Sequence, residues 1–412
     1  MSVANPETSA ALTLLNAKAV RERAHHMLAT GLDDKLANFR IDLERMDGVI
    51  ELVLETTRNT YPSLEVPFHS RWRHFVVNGS DRWSAIAEQR QWRESRARAE
   101  FDLAIVSVFL DAGAGPAWRY HDSGTGLAIG RSEGLGLASL AMFASGAFSA
   151  DPRDPLRVDA DVLANLSVAD LKRGLQVSDT NPLVGLEGRA DLLRRLGRLV
   201  SSKGDLFGRF DKPRPGGLFD CLAGLKKNAQ LPAPTILSEL LQQLGPIWPS
   251  RLTLGGIALG DCWKHPALTT HDATSGLMPL HKLSQWLAYS LIEPLQRAGI
   301  EVTDIDGLTG LAEYRNGGLL IDSGVLAFRD QEQAQREHEV GSPLVVEWRA
   351  LTVALLDRVA EGMRQRLSLD AVSLPLAKVL QGGTWAAGRS LARERRADAS
   401  PPVKVISDGT VF

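Results

Sequence analysis

The sequence is poor in cysteine, in charge of one sign and in long apolar runs, and each shortage excludes a class of protein. Only two cysteines occur in 412 residues, Cys221 and Cys262. A chain of this length from an oxidising compartment usually carries more, so we expect a reducing one, the cytoplasm. The 47 basic and 49 acidic residues leave a net charge of -2. This balance provides no broad basic surface for nucleic acid, and we expect a small-molecule partner instead.

No segment has the character of a membrane span or of a secretory signal. The longest apolar stretch, residues 135–148, is too short to cross a bilayer. Residues 1–15 lack the basic and then apolar order of a signal peptide. We therefore expect no membrane partner. The 44% of hydrophobic residues can bury one large core or two ordinary ones.

Apolar residues at three- and four-residue steps predict a mainly helical protein. The clearest segment covers residues 345–367, where charged residues separate the apolar ones. Ser167 followed by Asp170 is typical of a capping box that opens a helix toward Leu175. Further helices are predicted at residues 187–200, 235–244 and 280–298, and Pro294 should kink the last of them.

Strand signals are few, and no linker divides the chain. Residues 403–406 alternate in polarity and predict a hairpin, with a turn at Asp408 and Gly409 and a return at Val411 and Phe412. We expect a compact helical fold with an N-terminal helical subregion, residues 1–100, and a helical catalytic body, residues 101–412, in one continuous unit. A monomer or a homodimer fits this organisation.

Two segments invite a cofactor or a metal. The glycine-rich residues 124–146 have no preceding strand and no strand–helix–strand pattern, so close helix packing explains them better than a dinucleotide loop. Cys262, His265, His271 and His281 lie close together in the sequence, but their spacing fits no standard zinc motif. We expect no cofactor and no metal, and a metal site at these four residues stays as the alternative.

Residues 68–75 combine arginines, histidines and aromatic residues. One explanation is a helix start whose aromatic side chains point inward while its charges are solvated. The other is a phosphate pocket, because guanidinium and imidazolium groups supply directed donors to phosphate oxygens. Composition leaves both explanations open.

Two carboxylates are candidates for chemistry. Asp111 ends an apolar run seven residues before Trp118. It could accept a hydrogen bond from a ligand hydroxyl beside the stacking face of Trp118, or it could be an ordinary turn residue. Glu313 lies at the end of another apolar run, beside Tyr314 and Arg315, where burial would control its charge. The competing explanation for Glu313 is a structural ion pair with Arg315 at a helix end.

The order of several motifs resembles the family called uracil catabolism protein four, found in fungi and bacteria. The motifs are Trp72-Arg73-His74 and residues 110–113, 280–287, 312–318 and 382–389. The resemblance covers most of the chain. It implies a role in a non-reductive uracil catabolic pathway, in the breakdown of uracil-derived ribosyl compounds.

A more distant similarity is to the queuosine-phosphate nucleosidases, whose helical fold is like that of the helix–hairpin–helix DNA glycosylases. Their apolar pair followed by Ala-Asp-Tyr-Arg looks like residues 311–315, and their aromatic-Lys-x-x-Gln helix looks like residues 281–285. Their aspartate seven residues before a tryptophan is matched by Asp111 and Trp118, and their C-terminal Leu-Trp pair is similar to Thr384-Trp385. The resemblance implies the same compact helical fold.

Two departures from that second family bear on the substrate. Glu313 stands where the family has aspartate, and Gln381 replaces a second aspartate four residues before the C-terminal tryptophan. Recognition of queuine therefore does not carry over, and a different leaving group is implied.

Together the resemblances imply an N-glycosidase that hydrolyses ribosylurea or its 5′-phosphate to urea and a ribose species. They imply Glu313 as the stabiliser of the ribosyl cation and Asp111 as hydroxyl acceptor or leaving-group acid. The substrate-binding candidates are Lys282, His74, Arg71, His281, Gln285, Trp118, Arg315, Gln381 and Trp385. Among them Lys282 with His74 or Arg71 would hold the phosphate, and Trp118 and Trp385 would exclude water.

Two rival functions stay open from the sequence. One is a metal-dependent amidohydrolase that uses the cluster between Cys262 and His281. The other is a non-catalytic binding subunit of the same pathway, because a shared fold does not guarantee a retained activity.

Overall fold

The fold is described from a computed structural model that covers residues 5–90, 92, 96–111, 113–209, 212–248 and 252–406. Helix accounts for 56% of the structure and strand for 10%. The prediction of a mainly α protein with a few short strands is therefore confirmed. The likeness to the glycosylase fold stays a prediction.

The described residues form the following elements. The α-helices are α1 Pro6–Thr13, α2 Ala17–Leu32, α3 Met46–Thr60, α4 Arg82–Glu88, α5 Arg96–Phe109, α6 Arg131–Ala144, α7 Ala160–Ala164, α8 Val168–Gly174, α9 Leu186–Ser202, α10 Gly204–Phe207, α11 Leu218–Leu225, α12 Ala233–Leu244, α13 Lys282–Arg297, α14 Tyr314–Asp322, α15 Pro343–Leu367, α16 Leu376–Val379 and α17 Trp385–Arg395. Short 3-10 helices cover Leu43–Arg45, Arg71–Phe75, Pro215–Gly217, Gly245–Ile247, Ile305–Gly307 and Gln331–Gln335, and a π-helical turn covers Leu380–Thr384.

The strands are two or three residues long and join in pairs. They are β1 Phe39–Ile41, β2 Val76–Val77, β3 Ser80–Asp81, β4 Arg119–His121, β5 Ala128–Gly130, β6 Gln230–Pro232, β7 Thr253–Leu254, β8 Ile257–Ala258, β9 Cys262–Lys264, β10 Leu277–Pro279, β11 Glu301–Thr303, β12 Leu326–Phe328, β13 Glu337–Glu339 and β14 Lys404–Ile406. The pairs β6–β11 and β13–β14 are parallel, and β1–β12, β2–β3, β4–β5, β7–β8 and β9–β10 are antiparallel.

The predicted C-terminal strand is present, but its partner comes from elsewhere in the chain. Strand β14 pairs in parallel with β13, with Val405 opposite His338. The proposed turn at Asp408 and Gly409 and the return at Val411 and Phe412 lie outside the described residues. A strand signal in the sequence thus located β14 correctly, whereas its pairing depends on long-range contacts.

The predicted helices are confirmed with small changes at their ends. Ser167 is the N-cap of α8, and its hydroxyl accepts a hydrogen bond from the Asp170 N–H at 3.0 Å. The longest helix, α15, differs from the simple amphipathic pattern, because Glu347 and Arg349 are buried inside the protein. Each has partners there: Glu347 accepts from the Phe39 N–H at 2.8 Å, and Arg349 donates to Asp261 and to the Ala312 carbonyl oxygen.

One large apolar core contains side chains from Leu15 to Val403, so that residues 1–100 and the remainder of the chain contribute to it together. A small second cluster contains Ala11, Leu14, Leu259, Cys262 and Leu277. Within the ranges that the structure describes, no helix combines the length and the apolar character needed to cross a membrane.

The glycine-rich residues 124–146 form the end of the β4–β5 hairpin region and helix α6. A Cβ on Gly134 would lie 2.2 Å from the Ile129 carbonyl oxygen, and one on Gly136 would lie 2.8 Å from Cβ of His74. Both distances are too short for a side chain. The small residues therefore permit close packing of α6, as the sequence indicated.

Helices α14 and α17 also meet through a glycine, and this contact gives a test of the fold. A Cβ on Gly388 would lie 2.3 Å from the Arg315 carbonyl oxygen, a backbone atom that cannot move aside easily. We expect Gly388→Ala to lower the free energy of unfolding by about 1–3 kcal/mol, measured by urea denaturation.

The matched control is Gly224→Ala in α11, where nothing lies within 4 Å of the added Cβ. This substitution should leave stability unchanged or raise it by up to about 1 kcal/mol, because alanine loses less backbone entropy in a helix. Equal unfolding midpoints for the two variants would contradict the close packing of α14 on α17.

Candidate functional site

Lys282 is the first residue of α13, and Asp261 determines where that helix begins. The Asp261 carboxylate accepts the Lys282 N–H at 2.9 Å, while its carbonyl oxygen accepts the N–H groups of Leu280 and His281. His281 has a φ of 47°, in the left-handed region, so helical geometry cannot include it. The helix therefore begins at Lys282 and not at Leu280, where the sequence pattern had placed its start.

A buried ion pair holds Asp261 in place. Both guanidinium nitrogens Nη1 and Nη2 of Arg349 donate to its carboxylate at 2.8 Å. Burial by itself would raise the pKa of Asp261, but the charge and hydrogen bonds of Arg349 lower it to about 2, with help from Trp263. Arg349 Nε also donates to the Ala312 carbonyl oxygen at 3.3 Å. One side chain of α15 therefore ties the start of α13 to the residue before Glu313.

Glu313 is the N-cap of α14. Its carboxylate accepts the N–H of Arg315 at 2.8 Å and the N–H of Asn316 at 2.6 Å, which fixes both oxygens at the end of the helix. The side chain is only 9% exposed. Burial raises its pKa, and the two N–H donors followed by the charge of Lys282 act in the opposite direction.

The expected structural explanation of Glu313, an ion pair with Arg315, is not the observed arrangement. The Arg315 guanidinium donates to the Ala399 carbonyl oxygen at 3.2 Å and lies over the Tyr314 ring, 4.8 Å from its centroid. Arg315 thus anchors the C-terminal segment. The cap of α14, and not a salt bridge, orients the Glu313 carboxylate.

Asp111 follows α5 and is held from two directions. It accepts from Arg71 Nη1 at 2.7 Å and from Ser132 Oγ at 2.6 Å. Burial raises its pKa, and the charge of Arg71, the Ser132 hydroxyl and the charge of Lys282 oppose that rise. Ser132 lies in the first turn of α6, so the glycine-rich helix contributes to the site through this hydroxyl.

Arg71 is fully buried, in contrast to the explanation that placed the charges of residues 68–75 in solvent. Its Nε donates to Ser107 Oγ at 2.5 Å, and its guanidinium lies 5.4 Å from the centroid of the Trp286 ring. The aromatic side chains Trp72 and Phe75 are buried, as that explanation expected. Arg71 therefore holds Asp111 and has no exposed surface for a phosphate.

Two histidine rings lie close to the ring of Trp286. The ring of His74 is 5.5 Å and the ring of His69 is 6.3 Å from the Trp286 ring, measured between centroids. His69 Nδ1 lies 3.0 Å from Gln381 Oε1, and Gln381 in turn donates to the Tyr61 hydroxyl at 3.2 Å. Burial lowers the pKa of His69 to about 4. Gln381, at the position of the expected aspartate, is thus a partner of His69.

Lys282 brings the carboxylates of distant segments into one site. Burial lowers its pKa, and the charges of Glu313 and then Asp111 are the strongest influences that raise it. No hydrogen bond joins its Nζ to a residue in the described ranges, and the side chain is partly exposed. Residues 111, 282 and 313 therefore converge, and the ammonium group keeps its three donors available.

Three of the side chains predicted to bind substrate instead make hydrogen bonds within the protein. Trp118 is fully buried and donates from Nε1 to the Leu175 carbonyl oxygen at 2.9 Å. Gln285 is fully buried against Thr309, and His281 Nε2 lies 3.0 Å from the Leu14 carbonyl oxygen. Burial gives them no open surface toward a ligand. Trp385 is partly exposed and lies beneath Arg389, 5.5 Å from its guanidinium carbon.

The residues of the alternative metal site do not converge. Cys262 is buried in the small apolar cluster, where burial raises the pKa of its thiol. His265 Nε2 lies 3.5 Å from Glu347, His271 is exposed, and His281 faces α1's end at Leu14. In the part of the chain that the structure describes, no group of three or more His, Cys, Asp or Glu side chains is placed to hold a metal ion.

Several side chains of the site were not among the catalytic and substrate-binding candidates named from the sequence. Ser132, His69 and Trp286 all contact residues of the site. The charges of Arg315, Glu313 and Asp111 influence the pKa of Tyr314. Trp286 could have been found, because it follows Lys282 by four residues and so shares its helix face. Ser132 could not, because only the packing of α6 against residues 71–75 brings it to Asp111.

Comparison with known proteins assigns the chain to a family. The protein is 37% identical over 418 residues to Protein urg3 of Schizosaccharomyces pombe, a match that covers 98% of this chain and 100% of that protein. It is 35% identical over 414 residues to Uracil catabolism protein 4 of Lachancea kluyveri, with 91% of this chain and 92% of that protein covered. Residues 13–412 match the family described as "Protein of unknown function (DUF1688)". The chain therefore belongs to the DUF1688 family, and one of these two relatives is named for uracil catabolism.

Proposed function

We propose that this protein acts in uracil catabolism as a hydrolase of an N-ribosidic bond, with ribosylurea or its 5′-phosphate as the substrate. In this reaction the C1′–N bond breaks and the oxygen of water attaches to C1′. One proton of that water is transferred to the leaving nitrogen, which gives urea and ribose or ribose 5-phosphate. The observation that carries the proposal is the convergence of Glu313, Asp111 and Lys282 from three distant segments.

Glu313 would stabilise the positive charge that develops on C1′ and the ring oxygen. A carboxylate suits this task when it is fixed before the substrate binds, since no reorganisation is then needed in the transition state. The two N–H bonds at the end of α14 provide that fixation. They also leave further lone pairs on each oxygen for the substrate.

Asp111 would accept a ribose hydroxyl or pass a proton to the leaving nitrogen. Its buried position raises its pKa, so this carboxyl takes up a proton more readily than an exposed aspartate does. Arg71 and Ser132 would act as positioning residues for it.

Lys282 would hold the 5′-phosphate or a negatively charged part of the substrate. Its ammonium group has no hydrogen-bond partner among the described residues, and a phosphate oxygen would supply one. Arg71 is also a candidate for phosphate binding from the sequence, but its guanidinium is fully buried beside Asp111, so the role is assigned to Lys282.

The relatives support the pathway part of this proposal. Uracil catabolism protein 4 carries the pathway in its name and aligns with 91% of this chain. In the proposed reaction the substrate is a uracil-derived compound whose ribose is bound to nitrogen. The choice of urea as the leaving group rests on the resemblance to the N-glycosidases together with Glu313 and Gln381 at their aspartate positions.

The first test is release of urea from synthetic ribosylurea 5′-phosphate by the wild-type protein and by Glu313→Gln. Glutamine has nearly the same shape but no negative charge, so we expect kcat to fall by about a hundredfold or more. If the wild-type protein releases no urea, the proposed substrate is wrong. Stabilisation of the protein by the ligand without turnover would favour the alternative of a non-catalytic binding subunit. Equal rates in both proteins would overturn the role of Glu313.

Because Glu313 caps α14, its replacement also affects stability, and Ser167→Ala is the matched control. That substitution removes the side-chain cap of α8 and should cost about 1 kcal/mol of stability. Urea release should stay at the wild-type rate. A rate loss in Ser167→Ala as large as in Glu313→Gln would mean that the loss reflects destabilisation.

A second test concerns the cation. Lys282→Met should raise KM for ribosylurea 5′-phosphate by about tenfold or more and have much less effect on the unphosphorylated compound, because only the charged contact is lost. The control is Lys172→Met, a change of an exposed lysine in α8, which should leave both values unchanged. The same loss for both substrates would argue against phosphate binding by Lys282.

The pH dependence follows from the directions of the two pKa shifts. Turnover needs ionised Glu313, so the rate falls as pH decreases through its raised pKa, above the ordinary range for a carboxyl. Phosphate binding needs protonated Lys282, so kcat/KM falls as pH increases through its lowered pKa. In Lys282→Met the alkaline limb should disappear and the acidic limb should move to higher pH, because the cation that lowers the pKa of Glu313 is gone. An unchanged profile in this variant would contradict the coupling.

A further inference from the structure

The contact between Arg71 and His74 determines which nitrogen of the imidazole ring carries the proton. Arg71 Nη1 lies 3.0 Å from His74 Nδ1. A guanidinium group has only donors, so this contact favours an unprotonated Nδ1 that accepts, because an Nδ1–H would face another donor. A neutral His74 therefore carries its proton on Nε2.

Arg71 cannot turn away from this contact, because its other bonds fix it. Its backbone N–H donates to Ser290 Oγ at 2.9 Å, and its Nε donates to Ser107 Oγ at 2.5 Å. Nη1 also donates to Asp111 at 2.7 Å and lies 3.2 Å from the Ser132 carbonyl oxygen. The tautomer of His74 is thus tied to the same guanidinium that holds Asp111.

The surroundings of His74 favour the uncharged ring. The groups that face it are the cations Arg71 and Arg73, the second imidazole of His69, and the Trp286 ring. Burial and then the charge of Arg71 hold the pKa of His74 well below its ordinary value. The ring therefore stays neutral at neutral pH, and the role of a phosphate-binding cation does not suit it.

The Nε2 side of the ring is available to a ligand. The side chain is partly exposed, and Nε2 makes no hydrogen bond to the residues that the structure describes. Asp111, Arg71 and His74 form one connected group, and the His74 ring also lies 5.5 Å from that of Trp286, which is one helical turn after Lys282.

We propose that His74 presents a neutral Nε2–H hydrogen bond to the leaving group, the ureido carbonyl oxygen, and that Arg71 is the positioning residue that sets this tautomer. The inference rests on the proposed function and deepens it. When the C1′–N bond breaks, its electron pair moves to the ureido nitrogen and is shared with the carbonyl oxygen. The N–H donor stabilises that negative charge and His74 keeps its proton, because the proton on the leaving nitrogen comes from the attacking water.

The tautomer is tested by 15N NMR of the full-length protein labelled at histidine, with His74→Gln used to assign the signals. We expect His74 Nδ1 in the unprotonated range and Nε2 in the protonated range, without change between pH 5 and 8. A hydrogen on Nδ1, or a doubly protonated ring in this interval, would overturn the inference whether or not the protein turns over substrate.

The role of Arg71 has a spectroscopic readout of its own. In the double variant Arg71→Met, Asp111→Asn the carboxylate is neutralised together with its cation, so that no charge is left buried alone. We expect His74 to show a mixture of both tautomers in this variant, with melting curves confirming that it is folded. A single Nε2–H tautomer there would remove Arg71 as the cause.

Kinetics then test the donor. The amide N–H of His74→Gln can reach the position of Nε2, whereas His74→Phe has the ring shape without a donor. We expect urea release by His74→Phe to fall about a hundredfold or more in kcat and that by His74→Gln to fall much less. His26→Gln, at an exposed histidine of α2, should match the wild type.

These outcomes separate the inference from the proposed function. No urea release from the wild-type protein overturns the proposed function, and with it the leaving group assigned to His74. Urea release by the wild type with equal rates for His74→Gln and His74→Phe overturns the inference alone.

Discussion

The buried pair of Arg349 and Asp261 is the interaction on which the candidate site depends. Asp261 sets the first residue of α13, and Arg349 connects it to the Ala312 carbonyl oxygen, one residue before the cap of α14. Breaking such a pair by removing one partner leaves a buried charge and costs about 3–5 kcal/mol. Its value here lies in geometry, because it holds the backbone positions of Lys282 and Glu313 relative to each other.

A second buried pair, Arg71 with Asp111, fixes the position of the Asp111 carboxylate in the site. Both arginines are nearly or fully buried, and both donate to carboxylates, carbonyl oxygens or hydroxyls of the protein, although Arg71 Nη2 has no hydrogen-bond partner among the described residues. Lys282 differs, because its ammonium group makes no hydrogen bond to a described residue while lying near two carboxylates. The arginines thus organise the site, and the lysine is the cation left for a ligand.

Predictions from the sequence succeeded where the determining interactions are local in the chain and failed where they are long-range. Helices α8, α9, α12 and α15 could be located because apolar periodicity and capping residues act within a few positions of the chain. The start of α13 was misplaced because Asp261, more than twenty residues away from its target, determines it. Charged residues within α15 suggested a solvated face, but Glu347 and Arg349 find buried partners that no local pattern reveals. The substrate contacts suggested for Trp118, Gln285 and His281 depended on side-chain direction, which periodicity does not provide.

The sequence by itself determined that the protein is mainly helical, that it lacks a long apolar span, and that Glu313, Asp111 and Lys282 are candidate site residues. These conclusions depend on composition, on local periodicity and on motif order, which a single chain displays directly. Only the tertiary structure decided that Glu313 is a helix cap and not the partner of Arg315, that Arg71 is buried beside Asp111, and that His74 Nδ1 lies 3.0 Å from Arg71 Nη1. The reason is physical: each of these roles depends on which donor lies within about 3 Å of which acceptor, and chain segments far apart in sequence supply most of those donors.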